Sequence, residues 1–438
     1  MGITTNIAKT MKSVFMCVRF IVTEWIMKIV LPLILCIPIE IKNVIEVFIL
    51  KHPYANVFGS SIYNIKNKTP EECEKELDRI LKVIEQHPDT PIEVFLSDMF
   101  IGKPIKEISM RDLDTAVREY LKCGFSFTKR ILKLIHKKGH YLDDKKYTQE
   151  VTFIDVNEPL DRFYRPCAVQ IIRDFTYIAN SIVGCTLGYV PEVTSDDIVI
   201  WRRFISKDRP TLLLIPSTYG FTMLYHSVFK AVGNKYNIVC IDTPNIQLRS
   251  GKVVNVETIV KTVTSVIKHD EMHDICYLGH SFGCIVLNQI FEKNYNLINK
   301  IVLIEPPILM GINSKLFYNG KEYEPNMLLN HVYRFTQSNR YLSTFYKTVF
   351  KADHIVLNTF KSFGHLYNIF PSNRVLDMMR AGNVVIVLSK EDIIIDYEVN
   401  KNMCTHLGAH LIVSSSHHGM AVADPHAITE FVKLLTND

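Results

Sequence analysis

Short apolar runs alternate with amphipathic segments in the second half of the chain, from about residue 197 onward. The apolar runs predict strands at 198–204, 211–215, 238–241, 275–278, 301–304, 384–388 and 410–413. Apolar residues at helical spacing predict helices at 223–232, 256–269, 284–293 and 427–435. Strands that alternate with helices favour a parallel sheet covered by helices on both faces. Such sheets bind ligands at the carboxyl ends of their strands.

The pattern before residue 197 is mainly helical. A helix start is predicted at Thr69-Pro70-Glu71-Glu72, which combines a capping threonine, a proline at the first helical position and a capping-box glutamate. Further helices are predicted at 109–123, 127–138 and 167–183. The chain therefore divides into an N-terminal segment (1–54), a helical pre-domain (55–190) and an α/β domain (191–438).

The N-terminal segment is mostly apolar, but charges interrupt it. One helical face carries Val14, Val18, Val22, Trp25 and Ile29. The rest of this helix carries Lys12, Arg19, Glu24 and Lys28. A membrane-spanning helix needs about 20 consecutive apolar residues, and the charges prevent such a run. The pattern predicts that residues 12–50 associate with a membrane surface, with packing on the rest of the protein as the alternative.

Composition and charge limit the partners and the compartment. The formal net charge of +5 arises from 50 basic and 45 acidic residues spread along the chain, which does not indicate a nucleic-acid partner. The ten cysteines form no CxxC pair, so we expect a reducing compartment and no structural zinc. We therefore expect a membrane-associated protein that faces the cytoplasm, with a soluble cytoplasmic protein as the alternative.

A pentapeptide between a predicted strand and a predicted helix carries the main chemical signal. It reads Gly279-His280-Ser281-Phe282-Gly283. A sharp turn from strand to helix needs small residues on either side of a central serine, and it exposes that hydroxyl at the helix N-terminus. Ser281 is therefore the predicted nucleophile.

A serine nucleophile needs a histidine base that a carboxylate orients, and in this strand-turn-helix context the chain order is serine, acid, histidine. Asp392 follows the predicted strand 384–388 and is the favoured acid, while Glu305, after the strand 301–304, is the alternative. His418 follows the last predicted strand and is the favoured base, with His417 as the alternative.

Two backbone N–H groups must stabilise the negative charge on the reacting carbonyl oxygen. One is expected from Phe282, the residue after the nucleophile. The other is expected from Ser217 or Thr218 in the loop after strand 211–215, because Pro216 has no N–H.

Residues of about 197–438 resemble the AB-hydrolase-1 branch of the α/β-hydrolase superfamily, especially its lipase-like and esterase-like members. The matching pieces are Asp197 to Trp201, the loop from Thr218 to Tyr225, Cys240-Ile241-Asp242-Thr243-Pro244, the pentapeptide, and the loops of Asp392 and His418. The resemblance implies an α/β-hydrolase fold with a cap insertion at about 311–382. It also implies ester, thioester or amide hydrolysis through an acyl-enzyme, with no cofactor.

The insertion at 311–382 is rich in tyrosine and phenylalanine, and such a cap could line a pocket for an acyl chain. We therefore expect a carboxylic-ester hydrolase that acts on a lipid or acyl ester. An acyltransferase or thioesterase using the same three residues remains open. So does a catalytically inactive binding protein that keeps the fold.

Overall fold

The structure is a computed structural model, and its described part comprises several ranges of the chain. These are residues 2–34, 69–86, 108–120, 122–137, 139, 142, 167–218, 222–244, 246, 254–292, 297–307, 371–392 and 394–436. The aromatic part of the predicted cap therefore lies outside the described residues.

Eight strands of the described residues form one sheet in the order β1-β2-β4-β3-β5-β6-β7-β8. All neighbours are parallel except that β2 runs antiparallel to both β1 and β4. The strands are β1 (Val190–Val193), β2 (Val199–Arg203), β3 (Thr211–Ile215), β4 (Asn237–Asp242), β5 (Ile275–His280), β6 (Ile298–Ile304), β7 (Val384–Ser389) and β8 (His410–Ser414).

The sequence predicts seven of these strands and misses β1. Every residue of β3, β4, β5 and β7 is buried, as the continuous apolar runs indicate for strands covered on both faces. Strand β1 has no such run, because Pro191 and Glu192 lie at its centre. Proline is tolerated at the edge of a sheet, where β1 lies.

Helices lie before, between and after the strands. They are α1 (Gly2–Trp25), α2 (Pro70–Gln86), α3 (Met110–Thr115), α4 (Phe125–Lys137), α5 (Cys167–Thr186), α6 (His226–Val232), α7 (Val256–His269), α8 (Phe282–Glu292), α9 (Asn373–Arg380), α10 (Tyr397–Leu407) and α11 (Pro425–Thr436). A π-helical turn, Ile26–Val30, and the helical turn Leu31–Ile34 continue α1.

The predicted helices are present, with two differences in type. The segment predicted as helix 109–123 is a short α-helix that continues as a π-helix, Ala116–Tyr120. The segment predicted as 223–232 starts with the 3₁₀ turn Thr222–Tyr225, and α6 follows it. The 3₁₀ turn matters because it carries a side chain that reaches the candidate site.

Helix α4 packs against both α2 and α3, and the buried aliphatic side chains of these helices include Leu77 and Ile131. Arg130 of α4 also forms ion pairs with Asp78, at 2.7 Å, and with Glu85 of α2. Helix α2 begins at Pro70, as its capping sequence predicts.

Helix α5 lies on the sheet through a buried polar network. Asp242, at the end of β4, accepts hydrogen bonds from Tyr177 of α5 at 3.0 Å and from the indole of Trp201 at 2.9 Å. Thr222 donates to the other carboxylate oxygen at 3.0 Å. Burial raises the pKa of Asp242 to about 6, although these donors partly oppose the effect. Helix α5, which lies in the predicted helical pre-domain (55–190), therefore packs on the same sheet.

Helix α1 packs one side on this sheet. The ring of Phe20 meets that of Trp201 edge-on at 5.5 Å, and the Cys17 thiol donates to the carbonyl of Tyr189. The predicted assignment of side chains to an exposed apolar face and a charged face is wrong at two positions, because Ile29 is 4% exposed and Glu24 is 5% exposed. Both lie on the side of the helix that faces the protein.

No helix among the described residues is long and apolar enough to cross a membrane.

Helix α9 occupies the C-terminal part of the predicted insertion 311–382. It packs against α8, α10 and β7, and its side chain Met379 is fully buried. Its residues therefore belong to the helical layer over the sheet.

Candidate active site

Ser281 occupies the turn between β5 and α8 with a φ of +48°, in the left-handed region that a serine rarely adopts. Its N–H donates to the carbonyl of Ile304 at 2.8 Å. A Cβ on Gly283 would lie 2.1 Å from the carbonyl oxygen of Ile215, and one on Gly279 would lie 3.0 Å from the backbone of Gly283. The two glycines therefore allow the close approach of helix and strand that this turn requires.

The structure brings Ser281, His418 and Asp392 into one hydrogen-bonded line. The Nε2 atom of His418 lies 3.2 Å from the Ser281 hydroxyl, and its Nδ1 lies 2.7 Å from Asp392 Oδ2. The other oxygen of Asp392 accepts the backbone N–H groups of Ile394 and Ile395 at 2.8 and 2.9 Å. These two bonds fix the carboxylate, and the carboxylate fixes the imidazole.

His417, the alternative base, points elsewhere. Its Nε2 lies 3.2 Å from the Glu391 carboxylate, and the side chains of both residues are exposed. The chain turns after His418 at Gly419, which has a φ of +87°. The two neighbouring histidines thus have different surroundings, and only His418 reaches Ser281.

Glu305, the alternative acid, is also in the site, as a second and fully buried carboxylate. Its Oε2 accepts from the Nε2 of His280 at 2.9 Å and from the N–H of Gly419. Its Oε1 accepts from the Ser389 hydroxyl at 2.5 Å. Oε2 lies 3.7 Å from Nδ1 of His418, beyond hydrogen-bonding distance but close enough for a strong charge interaction.

A chain of buried hydrogen bonds leads from Glu305 to the loop after β3. The backbone N–H of Ser217 donates to the Tyr225 hydroxyl at 3.0 Å, and this hydroxyl lies 2.7 Å from Nδ1 of His280. Every donor has an acceptor if Tyr225 donates to Nδ1 and His280 carries its proton on Nε2, toward Glu305. The arrangement therefore assigns this tautomer to His280.

The two carboxylates govern the protonation of His418. Burial alone lowers its pKa, but the charges of Asp392 and Glu305 outweigh this and raise the pKa to about 9. Burial raises the pKa of Asp392, and the charge of His418 partly offsets it. Burial likewise opposes ionisation of Glu305, but the positive charge of His418 and the His280 hydrogen bond lower its pKa.

The expected donors to a carbonyl oxyanion differ in their surroundings. Phe282 is the first residue of α8, and N–H groups in the first turn of a helix point along the axis toward an incoming negative charge. The N–H of Ser217 is engaged by Tyr225, which leaves Thr218 as the candidate donor of the two loop residues.

The two carboxylates of the site and the imidazole of His418 are also residue types that bind metals. One ligand atom each from Glu305, Asp392 and His418 lies within 4.8 Å of the others. Each of these side chains is already hydrogen-bonded to protein groups. A serine nucleophile paired with a histidine base needs no metal to act.

Sequence reasoning missed three participants: Tyr225, His280 and Ser389. His280 lies inside the pentapeptide, but the pattern constrains only the two glycines and the serine. Tyr225 ends the loop that follows the expected oxyanion donors, but it also stands in a segment predicted as helix, and no pattern marks its side chain as part of the site. Their roles depend on contacts between residues 55 and 84 positions apart.

The strand order with an antiparallel β2, together with the serine turn between β5 and α8, is that of the α/β-hydrolase fold, as the sequence predicts. No protein-family model matches the chain. A search of curated protein sequences also finds no match.

Solved structures of hydrolases resemble the chain at low sequence identity. A hydrolase from Pseudomonas aeruginosa is 13% identical and has a TM-score of 0.43, covering 57% of this chain and 99% of its own. An α/β hydrolase from Novosphingobium aromaticivorans is 13% identical with a TM-score of 0.40, covering 57% and 98%. A membrane phospholipase A, described as a bacterial virulence factor, is 14% identical with a TM-score of 0.45, covering 61% and 92%. None of these similarities assigns a substrate to this chain.

Proposed function

We propose that the protein is a serine hydrolase that cleaves carboxylic esters through an acyl-enzyme. One observation carries the proposal: the Ser281 hydroxyl lies 3.2 Å from a histidine whose other nitrogen is 2.7 Å from a buried carboxylate. A hydroxyl is a weak nucleophile until a base removes its proton, and this arrangement supplies an oriented base.

The proposed reaction has two steps, acylation of Ser281 and deacylation by water, and the same residues act in both. His418 Nε2 takes the Ser281 proton as Oγ attacks the ester carbonyl carbon, and Phe282 and Thr218 donate N–H groups to the resulting oxyanion. The carbon–oxygen bond to the leaving alcohol then breaks, and His418 returns the proton to that oxygen. Water next attacks the acyl-enzyme with the same histidine as base, releasing the acid and restoring Ser281. Asp392 orients the imidazole and stabilises its positive charge.

The finer proposal is that the ester belongs to a lipid or another acyl compound. Its support is the tyrosine-rich and phenylalanine-rich segment between β6 and α9, since aromatic side chains provide large apolar area for an acyl chain. A water-soluble short-chain ester would then be a poorer substrate than a longer one.

Covalent labelling tests the chemistry directly. A fluorophosphonate probe should label the protein at Ser281, and Ser281→Ala should abolish both labelling and ester cleavage, with a loss of about 10⁴-fold or more in rate. Ser265→Ala, which changes an exposed serine on α7, is the matched control and should behave like the unchanged protein.

The chain-length dependence of p-nitrophenyl ester cleavage tests the substrate class, and an added alcohol acceptor distinguishes hydrolysis from acyl transfer. If the folded protein resists the probe and cleaves no ester of any chain length, the proposal is wrong and the inactive binding protein is favoured.

A further inference from the structure

Two helices of the protein expose a shared apolar surface, which we call the outer face. On α1 it consists of side chains at helical spacing, each at least 42% exposed: Val14, Phe15, Val18, Val22 and Trp25. On α5 it consists of Ile172, Phe175, Ile182 and Val183, each at least 44% exposed. Large apolar surfaces of this kind mark sites of interaction with another molecule or a membrane.

Helix α5 departs from the usual amphipathic order, although its side chains Tyr177 and Ile178 are buried. A helix on the surface of a water-soluble domain turns its apolar side chains to the core and its charges to the solvent. In α5, both charged side chains, Arg173 and Asp174, are buried, and so is Ser181. The apolar side chains Phe175 and Val183 face outward instead.

The two helices form one continuous surface because they run antiparallel and touch at two places. The rings of Trp25 and Phe175, which are both exposed, have centroids 6.0 Å apart. Further along, the side chains of Cys17 and Cys185 lie close together, and the two helices pack against each other. The exposed stripe of α1 therefore lies beside that of α5.

The charges around the outer face have one sign. Among the described side chains of α1 and α5, the exposed charged ones are Lys12 and Arg19, both basic. The acidic side chains, Glu24 and Asp174, are buried. An apolar surface bordered by cations and an exposed tryptophan complements a bilayer with anionic headgroups.

We propose that the outer face docks on the surface of a lipid bilayer. Helix α5 also contacts the 3₁₀ turn that carries Tyr225, since a Cβ on Gly184 would lie 3.2 Å from the Met223 side chain. Docking therefore places the 3₁₀ turn, and with it Tyr225, one helix away from the lipid. The consequence for substrate access rests on the proposed function, whereas the docking itself does not.

Vesicle flotation of the full-length protein tests this inference. Vesicles of phosphatidylcholine, alone or with phosphatidylserine, should carry the protein upward, more strongly when phosphatidylserine is present. Phe175→Glu and Val18→Glu should each lower the bound fraction at least about tenfold, because each places a charge in the apolar contact. Phe204→Glu is the matched control, since Phe204 is 48% exposed at the end of β2 and outside the outer face.

Two further measurements, cleavage of a soluble ester and gel filtration, complete the test. Cleavage of a water-soluble ester should be unchanged in both outer-face variants, which shows that they are folded. A protein inactive on every ester would contradict the proposed function and leave the flotation result interpretable. Equal flotation of all variants would overturn the docking inference, and so would a dimer in gel filtration that Phe175→Glu dissociates without changing flotation.

Discussion

At the scale of single residues, the charge on His418 depends on two carboxylates with separate tasks. Asp392 accepts the Nδ1 hydrogen bond at 2.7 Å, whereas Glu305 lies 3.7 Å from the same nitrogen and acts on it through charge. Both favour the imidazolium, and with its pKa raised to about 9 the histidine is mostly protonated at neutral pH. A base must be unprotonated to accept the serine proton, so kcat/KM should rise from neutral to alkaline pH.

Replacing Glu305 tests this assignment. The amide of Glu305→Gln keeps the shape, can accept from His280 and can donate to Ser389, but it removes the negative charge beside His418. Loss of a nearby negative charge destabilises the imidazolium and lowers its pKa. The rising limb of the kcat/KM profile should therefore move about one to two units toward lower pH, measured with a soluble ester.

The matched control is Glu391→Gln, an exposed carboxylate that pairs with His417 rather than with His418. It should leave the profile in place. A profile that stays fixed, or moves to higher pH, in Glu305→Gln would show that Glu305 does not set the charge of the base.

At the scale of elements, the buried side chain of Asp242 joins α5, β2 and the 3₁₀ turn. Trp201→Phe keeps most of the apolar ring but removes the indole N–H, which donates to this carboxylate at 2.9 Å. Losing one donor to a buried charged group should cost about 1–3 kcal/mol of the free energy of unfolding. Denaturant unfolding measures this cost.

The only other tryptophan supplies the control. Trp25 is 42% exposed and lies on the outer face, so Trp25→Phe should change the free energy of unfolding by less than about 0.5 kcal/mol. Equal losses for the two variants would mean that the hydrogen bond to Asp242 contributes little.

The sequence predicts those elements that depend on residues close together along the chain. The strands β3 to β5 read as continuous apolar runs because both of their faces are buried, and the turn at Ser281 is recognisable because its glycines meet backbone atoms. Strand β1 escapes prediction because an edge strand needs no apolar run. The inward position of Glu24 escapes it because helical spacing alone does not show which side of α1 meets the sheet.

The same distinction holds in the candidate site. The order of Ser281, Asp392 and His418 follows from the strand ends that carry them, so the pattern of strands indicates all three. The link from Ser217 through Tyr225 and His280 joins separate elements, and no local pattern specifies a hydrogen bond across such distances along the chain.

At the scale of the whole molecule, α1 has two faces with two separable roles. Phe20 is buried against Trp201, so Phe20→Ala should leave a cavity and cost about 3–5 kcal/mol of the free energy of unfolding. Phe15, on the same helix, is 66% exposed, so Phe15→Ala should change that free energy by less than about 0.5 kcal/mol while weakening vesicle binding.

Chemical denaturation and flotation of the two variants together separate these roles. Phe20→Ala should lower the denaturation midpoint because α1 is part of the packed body around the sheet, and its remaining folded fraction should still float with vesicles. Phe15→Ala should unfold like the unchanged protein and float less. If instead Phe20→Ala has the denaturation midpoint of the unchanged protein, the packing of α1 on the sheet does not contribute to stability. If Phe15→Ala lowers the denaturation midpoint and floats normally, the ring of Phe15 stabilises the protein rather than contacting lipid. Phe15 would then not belong to the outer face.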